Sequence, residues 1–79
     1  MDEMDIEIRN NVMRVLVECR KEKGITQAEL AKYLDSKPTT IASWEQGLSM
    51  PDVATLYRLA SYYNKTIAYM YGEKDGEIQ

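Results

Sequence analysis

The 79-residue chain has no histidine and a single cysteine, Cys19. An internal disulfide is therefore excluded, and so is a zinc centre of the usual Cys/His type. Phenylalanine is also absent, so the aromatic content rests on six tyrosines and one tryptophan. Apolar runs last only a few residues, far short of the roughly 20 needed to span a bilayer. The opening residues MDEMDIEI are acidic and lack the basic stretch and apolar block of a secretory signal. No nucleophile–base pair, metal-ligand cluster or glycine-rich phosphate loop is present, so no enzyme is expected and no cofactor is implied. These absences leave a small cytoplasmic domain with a modest core. A chain of this length buries only about 60% of its extended surface.

The net charge of -3 at first argues against a polyanionic partner. Its distribution changes that argument. Asp2, Glu3, Asp5 and Glu7 put -4 on residues 1–8. Glu73, Asp75 and Glu77 against Lys74 put -2 on residues 73–79. Nine Lys/Arg against six Asp/Glu leave residues 9–72 at +3. The expected division follows: an acidic segment 1–8 leading into the first helix, a folded body 9–72, and a disordered acidic tail 73–79. A mildly basic body is compatible with nucleic acid.

Helical periodicity dominates. Ile8, Val12, Val15, Leu16 and Cys19 mark one face of a helix from about Asp5 to Lys23, stopped by Gly24. Thr26 followed by Glu29 is a capping box, and Ile25 with Leu30 forms a hydrophobic staple. Leu30, Ala31 and Leu34 then face inward. Pro38 suits the first position of a third helix, with Ile41 and Trp44 on its inner face and Gly47 at its end. At this spacing Trp44 reads as core. Asp52 caps a fourth helix whose stripe is Val53, Leu56, Tyr57, Leu59, Ala60 and Tyr63. Asn64 takes a left-handed turn, and Thr66 caps a short fifth helix with Ile67, Met70 and Tyr71 inside, closed by Gly72. No alternating run suggests a strand, so the fold class is all-α with five helices.

The segment TQAELAKYLDSKPTTIASWEQG, residues 26–47, carries the functional signal. Two short helices meet across the turn Asp35–Ser36–Lys37, with small Ala31 at their close approach, as a helix-turn-helix requires. Only Ile41 and Trp44 of the second helix look like core. This stretch resembles the phage-repressor-like helix-turn-helix family of XRE or Cro/repressor type. The resemblance is carried by GITQAELA at 24–31, TTIASWEQG at 39–47, Pro51 and LYRLASYYN at 56–64.

The resemblance implies a five-helix lambda-repressor-like DNA-binding domain and a transcriptional regulator, a repressor acting as a dimer on an inverted repeat of double-stranded DNA. It places Pro38, Thr39 and Ser43, with Thr40 beside them, toward the base edges of the major groove. It gives Gln27, Lys37 and Gln46 to the DNA backbone, and pairs Arg20 with Glu45 as a structural ion pair. The chain departs from the family pattern where the turn position usually held by glycine is Asp35 and the next is Ser36. Pro38 has no hydrogen-bonding group for a base, and the reading face carries no Arg or Asn. The alternative is a protein-interaction module, such as an antitoxin or regulatory subunit, that keeps the fold. No membrane partner or small-molecule site is expected, and the crowded tyrosines of the last two helices suggest a homodimer contact.

Overall fold

The computed structural model describes residues 2–73. It contains α1 (Glu3–Lys23), α2 (Gln27–Leu34), α3 (Pro38–Glu45), α4 (Val53–Tyr62) and α5 (Ile67–Met70), with no strand among the described residues. The all-α, five-helix fold is the one expected.

Each helix starts and stops for a local reason. Asp2, Thr26, Asp52 and Thr66 each accept a hydrogen bond from the backbone amide three residues on, capping α1, α2, α4 and α5. At α2 the box is reciprocal, because Glu29 Oε1 also accepts from the Thr26 amide at 3.0 Å. All five helices end alike. A left-handed residue follows each one: Gly24, Asp35, Gly47, Asn64 and Gly72. The next amide then donates to a carbonyl five residues back: Ile25 to Arg20, Ser36 to Ala31, Leu48 to Ser43, Lys65 to Ala60 and Glu73 to Ala68. These bonds satisfy carbonyls the helices would otherwise leave open.

The core is one cluster. Val12, Val15, Leu16 and Cys19 of α1 meet Leu30, Ala31 and Leu34 of α2, Ile41 and Trp44 of α3, Leu56, Leu59 and Ala60 of α4, and Met70 of α5. α1 acts as the spine, touching both α3 and α5, while α2 packs on α3 and α4 on α5. Two glycines lie tight against it. A Cβ at Gly47 would stand 2.8 Å from Met13 Sδ, and one at Gly72 would stand 2.8 Å from the Asn11 side chain.

The structure corrects three expectations. α1 begins at Glu3 rather than Asp5, because Asp2 supplies the cap, so the acidic segment is largely helix. Val53 and Tyr57, assigned to the inner stripe of α4, are 79% and 63% exposed. The rest of the molecule fully buries only Leu56, Leu59 and Ala60 of α4 among its apolar residues, with Tyr62 partly covered. Tyr71, read as inside, follows the last residue of α5 and is exposed. The acidic tail beyond Glu73 lies outside the described residues.

Candidate nucleic-acid interface

α3 is only eight residues long, yet it is held on three sides. Ile41 and Trp44 anchor it in the core. Glu45 ties its last turn to α1: Arg20 Nε donates to Glu45 Oε2 at 2.6 Å, and Arg20 Nη2 donates to Oε1 at 3.0 Å. This fork-to-fork pairing is the strongest geometry available to a carboxylate and a guanidinium. Arg20 Nη1 also donates to the Ile25 carbonyl at 2.8 Å, which fixes the α1–α2 corner. The hydrogen bond it donates to Glu45 holds the Arg20 guanidinium above its ordinary pKa. The pair is nearly buried, with side chains 14% and 8% exposed.

Gln27, the first residue of α2, joins this network. Its Nε2 donates to Glu45 Oε1 at 3.1 Å. One carboxylate thus links the ends of α1, α2 and α3. A sequence reading that set Gln27 outward toward a backbone could not see this bond, since nothing in the spacing of positions 27 and 45 announces it. The Gln27 side chain is half-buried.

The remaining site residues divide by exposure. Lys37, Pro38, Thr39 and Gln46 are exposed, at the two ends of the outer face of α3. Thr40 is half-buried. Ser43 is also half-buried, and its hydroxyl is 2.7 Å from that of Ser49 in the following loop. The hydroxyl assigned to base edges therefore already has a partner. That contact closes a turn six residues long and carries no periodic signature.

α3 also differs from its neighbours at its N-terminus. Lys37 takes the cap position but makes no side-chain cap bond, and Pro38 has no amide to donate. Lys37 is extended, as a residue before proline should be. Left-handed Asp35 makes the turn between the helices at φ 54°, where the sequence pattern usually places glycine.

No helix among the described residues is long and apolar enough to cross a membrane. No group of metal-ligating side chains occurs among them either. A small cavity of about 150 Å³ lies between α1 and the α4–α5 turn, lined by Cys19, Glu22, Lys23, Tyr63 and Lys65. Burial pushes the Cys19 thiol up to about 11 and raises the Tyr63 phenol as well.

Comparison with known proteins bears on this geometry. A helix-turn-helix family model matches residues 16–70. The HTH-type transcriptional regulator ImmR of Bacillus subtilis (strain 168) is 32% identical over 60 residues, 76% of this chain and 47% of that protein. The "Putative multi-protein-binding factor 1" of Yarrowia lipolytica (strain CLIB 122 / E 150) is 31% identical over 52 residues, 66% of this chain and 34% of that protein. The chain thus spans about half the length of one relative and a third of the other. No solved structure matches at the same level of significance.

Proposed function

The chain belongs to the XRE-type helix-turn-helix family, and we propose that it binds double-stranded DNA through the major groove as a transcriptional regulator. In this reading it acts as a cytoplasmic repressor, as a dimer on an inverted repeat. The observation that carries the proposal is the division of α3. Its inner side is fixed by Ile41, Trp44 and the Arg20–Glu45–Gln27 network, while its outer end presents Lys37, Pro38 and Thr39 to solvent. A helix held this firmly with a small-residue outer face fits a groove about 12 Å wide.

The roles follow exposure. Thr39 is the principal reader, with its hydroxyl for a base edge and its methyl for a thymine. Pro38 packs without donating, and Thr40 supports from the side. Ser43 reads only by turning from Ser49. Lys37 and Gln46 take phosphates on either side of α3, and Gln27 takes a third through the second N–H of its amide, the first being given to Glu45. A face with few bidentate donors gives modest base discrimination and leans on duplex shape. A second reading, binding to a protein partner, draws support from exposed Val53 and Tyr57, which a groove-binding α3 does not use.

Selection of bound sequences from random duplexes tests the proposal, with affinities measured across salt. A recovered palindrome and a steep loss of affinity with salt are expected. Thr39→Ala should narrow the gap between selected and random DNA. Lys37→Ala should weaken both alike and reduce the salt slope by about 1. No salt-sensitive binding to any duplex would leave the protein-partner reading in its place.

A further inference from the structure

Thr39, Ser43 and Gln46 follow one another at i, i+4 and i+7, so they form one strip along α3 with Ser43 in its middle. Thr39 and Gln46 are exposed, while Ser43 is half-buried. The loop after α3 folds back on Ser43 and ties it down twice. The Leu48 amide donates to the Ser43 carbonyl at 3.0 Å. The Ser49 hydroxyl then stands 2.7 Å from the Ser43 hydroxyl. Gly47 makes the reversal that brings both residues back, left-handed and close against Met13 of α1. The fold itself therefore sets Ser49 beside Ser43.

We infer that Ser49 is a positioning residue for the reading face: it competes with the base edge for the Ser43 hydroxyl, and so leaves the middle of α3 tolerant of the base beneath it. This role rests on the DNA reading proposed above. A hydroxyl has one proton to give and two lone pairs to receive. Within reach of one hydroxyl, a base edge offers an acceptor, a donor or the thymine methyl. A free hydroxyl pairs with the first two, and under the methyl it is left dry and unpaired. Ser43 escapes that penalty, because its hydroxyl is already paired with Ser49. The same bond withholds the gain on a polar edge, since turning to the base only exchanges one hydrogen bond for another. Specificity is a difference between the two cases, so a partner that levels both removes it. One net hydrogen bond corresponds to about 2- to 10-fold in an equilibrium constant.

Full-chain Ser49→Ala, Ser43→Ala, the double variant and Ser49→Thr test this in two measurements. Urea melts of the free proteins come first. The Ser43 and Ser49 changes to alanine should couple by about 2- to 10-fold in the folding equilibrium. Independent effects overturn the inference whatever the DNA results. Relative affinities over a randomised duplex library at one salt concentration come second. Ser49→Ala should create a preference of about 2- to 10-fold against thymine at one base-pair position, with the other positions as in the wild type. Deoxyuridine in place of that thymine, which lacks the methyl, should restore binding. The preference should vanish in the double variant, and Ser49→Thr, which keeps a hydroxyl, should match the wild type. A merely structural Ser49 would instead weaken all duplexes alike. That result, an unchanged preference, or a preference that survives in the double variant overturns the inference and leaves the DNA reading standing. No salt-sensitive binding by the wild type overturns the DNA reading, and this role of Ser49 falls with it.

Discussion

Removing the Glu45 carboxylate tests whether one side chain holds three helices in place. Glu45→Ala deletes two charge-assisted bonds to Arg20 and one bond to Gln27. Arg20 is left with the Ile25 carbonyl alone, and its side chain is 14% exposed. Breaking one partner of a buried pair costs about 3–5 kcal/mol. The residual water access of Arg20 places this case near the lower end, about 3 kcal/mol. A domain of this size has total stability of roughly 4–12 kcal/mol, so the loss is a large share. With a urea slope of about 1 kcal/mol/M, the midpoint should fall by about 3 M. The readouts are circular dichroism and the fluorescence of Trp44, the chain's one tryptophan and the neighbour of Glu45. Arg20→Met combined with Glu45→Met replaces the pair by apolar side chains and should cost far less than the two single changes together. Additive losses, or a Glu45→Ala cost below about 1 kcal/mol, would show that the network does not hold the corner.

Other expectations are simpler to check. Gly47→Ala should destabilise by about 1–3 kcal/mol, because the residue is left-handed and its new methyl meets Met13; urea melts measure it. Cys19 should react with a thiol reagent only as fast as the fold opens. Its thiol is raised in the folded state from about 9 to about 11, so stability should fall as pH rises across that window. The Asp52 carboxyl is held low by its bond from the Thr55 amide. Its contribution is therefore full above the ordinary carboxylate range and lost as pH falls through the lowered value. Asp52→Asn should keep the cap and remove that part of the acid sensitivity of thermal melts.

Local chemistry made much of this fold legible. The capping box at Thr26 and the caps at Asp52 and Thr66 rest on short-range hydrogen bonding, and so do the stops at Gly24, Gly47 and Gly72. Such patterns stay within a few residues of the chain and can be read from it. Val53 and Tyr57 could not be placed, because helical periodicity reports which side of α4 is apolar and not how much of it the rest of the molecule reaches. The Gln27–Glu45 and Ser43–Ser49 contacts were also out of reach. They depend on rotamers chosen after the helices have packed. Lys65 shows the same limit: a lysine in a turn reads as a surface charge, yet it is 7% exposed, with its ammonium over Tyr69 and 3.9 Å from Glu22.

Because α3 takes no side-chain cap of its own, it owes its helical shape to what it is bolted onto. As a free peptide of eight residues it would not hold a helix. The residues that keep it in place are not those on its outer end. Lys37, Pro38, Thr39 and Gln46 can therefore be exchanged as a set with little risk to the fold. The chain is in that sense a chassis with a replaceable edge, and under the proposed DNA reading a change of target should need only a handful of codons rather than a new scaffold.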